Sequence, residues 1–273
     1  MRSIAKLMKD WQFTGPNGVT TAVELPHTWN AKDGQDGGND YWRGCCTYCT
    51  CFAAPVYDPA QQQVWLQFEG VNASAAVLLN GQQLCTHDGG YSTFRAEVTE
   101  LLQAENQLTV RVDNSVNDRV YPQKADFTFY GGIYRDVSLL VVNKNHIALG
   151  HFGDTGVKIT PALQENSADI RVETLVEGSG TVTVELLDAE GRTVAKGEGE
   201  NTFLHLDAPH LWNGVKDPYL YTCIVRLLQD GQPVDEVTTR VGLRSFSVDA
   251  MCAACPSSCS PSAPARRKDR RPA

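Results

Sequence analysis

Short runs in which apolar and polar residues alternate dominate this sequence. Such period-two runs, closed by turn residues, are typical of β-strands that bury one face. The clearest are VWLQFEG (64–70), AAVLLNG (75–81), NQLTVRVDN (106–114) and YRDVSLLVV (134–142). Asn80 and Gly81 predict a hairpin, because both residues tolerate the positive φ of a type I′ turn. A helical pattern is confined to one or two turns near Thr99, so we predict an all-β fold.

The same alternation starts afresh after Asn145, with turns at DAEG (188–191) and QDGQ (229–232). About a hundred residues with roughly seven such strands is the size of an immunoglobulin-like sandwich, although the Cys-Trp-Cys spacing of an antibody domain is absent. We therefore expect two β domains, which span residues 1–144 and 145–250.

The composition changes abruptly at Met251. Residues 251–273 contain Pro, Ser, Ala, Cys and Arg but no Leu, Ile, Val, Phe, Tyr or Trp. Such a segment cannot bury enough apolar surface to offset the entropy of ordering, so we predict a disordered tail. Because this composition is usual for a GC-rich gene read out of frame, we also hypothesise a frameshift or gene-model error near Met251.

The overall charge is acidic: the chain has 273 residues and a formal net charge of -8. This balance argues against a nucleic-acid partner, because proteins that bind nucleic acid concentrate Lys and Arg against phosphates. No apolar run is long enough for a signal peptide or a membrane helix. We therefore expect a cytoplasmic, soluble protein with no membrane partner, while formation of a homo-oligomer stays open.

Nine cysteines raise the question of disulfides or a metal site. Without a secretion signal, reduced thiols are the default. A zinc site could combine Cys46 and Cys49 with Cys252 and Cys255, since both pairs have the required spacing. We favour the alternative that Cys45, Cys49 and Cys51, which lie at alternating positions of a strand, serve as small apolar residues. We expect no metal and no cofactor.

Seven motifs follow one another between Leu25 and Asp249. They are LPHTWNAKDGQDGGNDYWRG (25–44), FEGVNASAAVLLNGQQL (68–84), HDGGYSTF (87–94), LTVRVDN (108–114), YGGIYRDVSL (130–139), LWNGVKDPYLYT (211–222) and VGLRSFSVD (241–249). Together they resemble the amino-terminal half of glycoside hydrolase family 2, the β-galactosidase and β-glucuronidase group. The resemblance implies a jelly-roll sugar-binding domain followed by an immunoglobulin-like sandwich. In the family, a TIM barrel with the catalytic carboxylates comes next.

The residues after the second sandwich are too few for such a barrel, which needs roughly 250 residues. Retaining hydrolysis requires an acid and a nucleophilic carboxylate about 5 Å apart, and in the family both lie on barrel loops. We therefore expect no catalytic residue and no turnover by this chain alone. It would be the non-catalytic front part of a β-galactosidase-like enzyme that binds β-galactoside-like carbohydrate. The alternative is a free-standing carbohydrate-binding or scaffold module.

The resemblance also implies sugar-binding residues. In the family, a loop corresponding to DGGNDYWRG (36–44) helps to hold the non-reducing sugar, which points to Asn39 and Asp40. Asp126 falls where β-galactosidases of the family place an acid that contacts galactosyl hydroxyls, and a carboxylate can accept charge-assisted hydrogen bonds from two of them. Without the resemblance, a turn at 36–39 and an exposed loop acid at 126 would be the favoured interpretations.

Trp42 is the fourth candidate for sugar binding. Its indole, together with the rings of Tyr41, Tyr91 and Phe94, could stack on a pyranose face. The alternative is that these rings are core residues or cross-strand partners, as aromatic residues in strands usually are.

Overall fold

The computed structural model describes residues 1–31, 41–122, 127–150 and 152–246. The described residues form β-strands joined by turns and loops, with one 3-10 turn at Thr99–Leu101. The prediction of an all-β chain with a jelly-roll sandwich and an immunoglobulin-like sandwich is confirmed, and the helical turn lies where the sequence predicts it. The tail, Asn39, Asp40 and Asp126 lie outside the described residues.

The chain divides into two compact units. The first comprises residues 1–156, 175–180 and 227–236, and the second comprises residues 157–174, 181–226 and the described residues from 237 on. The predicted domain boundaries, after residues 144 and 250, stay predictions.

The first unit is built on two antiparallel sheets. Its main strands are β1 (Ser3–Lys6), β2 (Trp11–Thr14), β3 (Thr20–Val23), β4 (Cys45–Ala53), β5 (Gln62–Phe68), β6 (Val71–Asn72), β7 (Ser74–Leu79), β8 (Gln82–Asp88), β9 (Phe94–Glu97), β10 (Glu105–Asp113), β11 (Gly132–Ile133), β12 (Val137–Asn143) and β13 (His146–Ile147). One sheet has the order β1-β12-β5-β9 and the other the order β3-β2-β4-β10-β7-β8. The short strands β6 and β11 pair with each other.

The core of the first unit lies between these sheets. Alternate residues of β5 and of β10 are buried in it, as period-two patterns require. They are Val64, Leu66 and Phe68 of β5 and Leu108, Val110 and Val112 of β10. Burial of each such side chain contributes about 1.5–3 kcal/mol. The predicted hairpin joins β7 to β8, with Asn80 at a φ of 51° and Gly81 at 83°.

The cysteines of β4 differ from the prediction. Cys46 is buried, whereas Cys45 and Cys51 are exposed and Cys49 is half-buried. The interpretation of Cys45, Cys49 and Cys51 as small apolar residues of the strand is therefore wrong for Cys45 and Cys51, which are exposed. The opposite set contains Tyr48 and Phe52, whose larger apolar surface decides which face of the strand turns to the core.

The remaining strands are β14 (Val157–Leu163), β15 (Ser167–Thr174), β16 (Val176–Glu177), β17 (Thr181–Leu187), β18 (Thr193–Glu198), β19 (Asn201–Asp207), β20 (Tyr221–Gln229) and β21 (Gln232–Val241). They form sheets with the orders β14-β15-β19 and β18-β17-β20-β21, while β16 pairs with β13. Alternate residues of β15, β17 and β19 are buried, among them Ile170, Val184 and Leu204. The second unit is therefore a sandwich whose core is formed by alternate residues of its strands.

Candidate functional site

Trp42 is the one predicted site residue within the described ranges. Its side chain is 37% exposed and lies edge-to-face on the ring of Trp29, with 6.0 Å between ring centroids. The backbone carbonyl of Trp42 accepts a hydrogen bond of 2.8 Å from Asn30 Nδ2. Trp42 is thus held at its backbone while part of its indole faces solvent, and its role in sugar binding stays a prediction.

Two fully buried asparagines, Asn30 and Asn114, hold the backbone around Trp42. Asn114 Nδ2 donates to Asn30 Oδ1 at 3.1 Å and to the Phe129 carbonyl at 3.0 Å. Asn114 Oδ1 accepts from the Gly44 amide at 2.9 Å, and Asn30 Oδ1 accepts from the Gly131 amide at 2.7 Å. Because buried amide groups are costly unless they are paired, these bonds fix the local backbone. We call this hydrogen-bonded pair the asparagine frame.

Arg43 reinforces the asparagine frame. Its Nε donates to the Asn114 carbonyl at 2.8 Å, and its guanidinium lies 5.0 Å from the centre of the Phe129 ring and 5.9 Å from that of Tyr41. The Tyr41 hydroxyl accepts a hydrogen bond of 3.2 Å from the Phe129 amide. Tyr41 and Arg43 therefore join the chain after residue 40 to the chain after residue 126.

A pocket of about 290 Å³ lies beside the frame in the first unit and is lined by Thr28, Asn72, Tyr91, Tyr130 and Tyr134. Tyr91 is 56% exposed and meets Tyr134 edge-to-face, with 6.3 Å between ring centroids. Asn72 Nδ2 donates to the Tyr130 carbonyl at 2.6 Å, and the Tyr134 hydroxyl donates to the Gly90 carbonyl. We call it the tyrosine pocket. Its volume is near the lower end for small-molecule sites.

The two glycines of the YGGIYRD motif allow the frame and the pocket to meet. A Cβ atom on Gly131 would overlap the indole of Trp29, and one on Gly132 would overlap the backbone carbonyl of His27. Gly132 also has a φ of +140°, in the region that favours glycine. Only residues without a side chain let β11 approach the segment 27–29 this closely.

Beneath this segment, His27 Nδ1 and the Tyr48 hydroxyl lie 2.7 Å apart. Burial lowers the pKa of His27, because the protonated ring loses its hydration. Burial also raises the pKa of Tyr48. His27 and Tyr48 therefore form a neutral pair that supports the site from the core side.

The other predicted aromatic candidates divide between surface and core. Phe94 is buried and stacks on Phe68, with 4.9 Å between ring centroids, so it belongs to the core. Tyr91 lines the tyrosine pocket. Asn30, Asn114 and Tyr130 were not among the sequence candidates, because nothing in their local sequence distinguishes them from loop or strand-end residues.

The described residues contain neither a cluster of metal ligands nor a helix that could span a membrane. Within residues 1–31, 41–122, 127–150 and 152–246, no three His, Cys, Asp or Glu side chains come together as metal ligands. The same ranges contain no helix long and apolar enough to cross a membrane. The zinc alternative also requires Cys252 and Cys255, which lie outside the described residues.

A jelly-roll sandwich followed by an immunoglobulin-like sandwich defines a two-domain β-sandwich protein. The family model described as "Glycosyl hydrolase 2 galactose-binding domain-like" matches residues 37–162, and the one described as "Glycosyl hydrolases family 2" matches residues 151–244. The chain belongs to glycosyl hydrolase family 2, and its matched residues are amino-terminal domains of that family.

The curated relatives of this chain are named as β-glucuronidases or as β-galactosidases. A β-glucuronidase of Bacteroides fragilis is 33% identical over 265 residues, which are 89% of this chain and 38% of the relative. The β-galactosidase BoGH2A of Bacteroides ovatus is 31% identical over 282 residues, which are 88% of this chain and 31% of the relative. The chain thus spans less than half the length of these relatives.

The solved structures that are similar to this chain include a β-glucuronidase and a putative β-galactosidase. An FMN-binding β-glucuronidase from Faecalibacterium prausnitzii L2-6 superposes with a TM-score of 0.85 at 35% identity, over 91% of this chain and 40% of that chain. A putative β-galactosidase from Bacteroides fragilis superposes with a TM-score of 0.82 at 34% identity, over 90% of this chain and 42% of that one. The matched part of both structures contains the same succession of folds.

Proposed function

We propose that this chain is the non-catalytic front part of a β-galactosidase- or β-glucuronidase-like glycoside hydrolase and contributes sugar-binding residues to its active site. The observation that carries the proposal is the asparagine frame. The frame bonds to the backbone of Trp42 and Gly44, which follow the candidates Asn39 and Asp40 in the sequence. It also bonds to the backbone of Phe129 and Gly131, which follow the candidate Asp126.

This arrangement suits sugar binding because the candidates are short polar residues that lie close in sequence to the backbone that the asparagine frame holds. Asp126 lies three residues before Phe129, and Asp40 lies two residues before Trp42. Asp40 and Asp126 would accept hydrogen bonds from sugar hydroxyls, Asn39 would both donate and accept, and Trp42 would cover an apolar face of the ring.

Hydrolysis itself needs two carboxyl groups held about 5 Å apart across the glycosidic bond. In the proposed assignment, these groups belong to the part of such enzymes that the chain does not match. Interactions made here would position the glycosyl unit, and binding energy from such groups can assist a reaction centre elsewhere. The chain alone would therefore bind sugar without turning it over.

The proposal is tested by binding and turnover measurements on the purified chain. We expect no release of a chromogenic aglycone from β-galactoside or β-glucuronide substrates. Titration with galactose and with glucuronate, followed by NMR, should show binding of roughly millimolar strength to one of them, because only one side of the sugar is contacted. Asp126→Asn should abolish that binding. Asp118→Asn, which removes an exposed acid from the same unit, is the matched control.

Two results would contradict the proposal. Robust turnover that a single carboxylate substitution abolishes would place catalysis in this chain. Micromolar sugar binding that is lost in Trp42→Ala and unchanged in Asp126→Asn would favour the free-standing carbohydrate-binding module.

A further inference from the structure

A second cavity lies within the second unit, where β19 ends and β20 begins. Its volume is about 480 Å³, which is within the range of small-molecule sites. The side chains that matter for its chemistry are Asp188, His205, Asp207, His210, Tyr219 and Tyr221. None of the predicted sugar-binding residues contributes to it.

One wall of this cavity is aromatic and fixed in place. The rings of His210 and Tyr219 are stacked, with 3.9 Å between centroids and 7° between planes, and Tyr221 meets Tyr219 edge-to-face at 5.0 Å. The Tyr221 hydroxyl accepts from the His210 amide at 2.9 Å, and the Tyr219 hydroxyl accepts from the Ala189 amide at 3.1 Å. Because backbone groups anchor both phenols, little side-chain entropy is lost when a ligand packs against the wall.

The polar groups of the cavity combine imidazoles with carboxylates. His205 Nδ1 lies 2.6 Å from Asp169 Oδ1, and its Nε2 lies 3.4 Å from Asp207 Oδ1. His210 Nε2 lies 2.7 Å from Asp217 Oδ2. The Asp207 side chain is 95% exposed, so its oxygens can accept further hydrogen bonds. These imidazole nitrogens are thus already paired with carboxylates, and the cavity offers carboxylate oxygens as acceptors beside its aromatic wall.

This chemistry selects among ligand classes. The exposed carboxylate of Asp207, with no Lys or Arg in the described lining, disfavours an anion, whereas Asp188 is paired with Arg192. No metal-ligand cluster forms among the described residues. A simple cation would use the carboxylates but leave the aromatic wall unused. A neutral polyhydroxylated ligand uses both, because its hydroxyls can donate to the carboxylates and its apolar ring face can pack on the aromatic wall.

We propose that this cavity is a binding site for a neutral oligosaccharide, of the size of a disaccharide. It would give the second unit a carbohydrate-binding role of its own. The aromatic wall would carry one sugar ring, while Asp207 would accept hydrogen bonds from hydroxyls at the rim.

The test is a titration of the full chain with lactose, monitored by NMR at the backbone amides of Ala189, His210 and Tyr219. We expect saturable shifts of these amides, with a dissociation constant of roughly millimolar size. Asp207→Asn should weaken binding by about fivefold or more, because a charge-assisted acceptor is replaced by a neutral one. Glu198→Gln removes one negative charge from an exposed position of β18 outside the lining and should leave affinity unchanged.

A matched anionic probe separates recognition of hydroxyls from nonspecific contact. Digalacturonate should bind at least about fivefold more weakly than lactose, because the carboxylates repel it. His210→Ala should weaken lactose binding by removing the stacked ring. The proposal is overturned if these amides do not respond to lactose, if Asp207→Asn and Glu198→Gln have equal effects, or if digalacturonate binds as well as lactose.

Discussion

Arg2 and Asp235 form a two-point ion pair in the first unit although they lie 233 positions apart in the sequence. Arg2 Nε lies 2.8 Å from Asp235 Oδ1, and Arg2 Nη2 lies 2.6 Å from Asp235 Oδ2. The Asp235 side chain is 0% exposed and that of Arg2 15%. Asp235 Oδ2 also accepts from the Ile147 amide at 2.8 Å. The carboxylate thus connects three distant parts of the chain.

Asp235→Asn should destabilise the chain by about 3–5 kcal/mol, because it leaves a largely buried guanidinium without its counter-charge. Urea unfolding followed by circular dichroism measures the loss. Lys6→Ala, which breaks the Lys6–Asp136 pair with side chains 65% and 29% exposed, is the control and should lose much less stability. Equal losses in both variants would mean that burial of the Arg2–Asp235 pair has no special effect.

Asn114→Ala should cost about 2–4 kcal/mol, since it removes three hydrogen bonds of the asparagine frame and leaves buried groups unpaired. Asn17→Ala is the matched control, because Asn17 bonds to the Val19 amide in an exposed turn and should cost less than about 1 kcal/mol. Unfolding midpoints report the difference. A loss in Asn114→Ala no larger than in Asn17→Ala would show that the frame does not hold the site.

Gly131→Ala should destabilise the first unit by about 1–3 kcal/mol and change the fluorescence of Trp29, because the new methyl group would overlap the indole. Gly18→Ala tests the backbone effect alone, since Gly18 has a φ of +73° but no atom within 4 Å of an added Cβ. It should cost about 1–2 kcal/mol with no change at Trp29. A normal Trp29 signal in Gly131→Ala would contradict the close approach.

Stability should fall as the pH falls below about 6.5, the usual pKa of histidine, because burial lowers the pKa of His27. In that range the unfolded chain binds a proton that the folded chain does not, so protons favour unfolding. His27→Gln should flatten the decline between pH 7.5 and 5.5, measured by urea unfolding. His87, whose pKa burial also lowers, keeps part of the decline.

His205 supplies the opposite control for this pH dependence. Its hydrogen bond to Asp169 raises its pKa, so whatever stability it contributes is present at low pH and is lost as the pH rises through the folded pKa. His205→Gln should therefore not flatten the decline. If His205→Gln flattens it and His27→Gln does not, the assignment to His27 is wrong.

The local pattern of the sequence was enough to predict the strands and several turns. Val64, Leu66 and Phe68 face the core because side chains of a strand alternate between its faces. The Asn80–Gly81 hairpin follows from the backbone conformations that these two residues tolerate. Motifs such as YGGIYRD also led to the family, although the reason for their glycines appears only where they meet Trp29 and His27.

Tertiary structure decided what depends on distant partners. Cys46 rather than Cys49 faces the core, because two alternating sets compete for one buried face and packing against the other sheet selects between them. Asn30 and Asn114, 84 positions apart, are ordinary loop residues until the fold brings their amides together. Arg2 and Asp235 likewise form their ion pair only when the fold brings them together. Sequence determines local conformation, whereas burial and pairing at long range arise only when the whole chain has closed around its core.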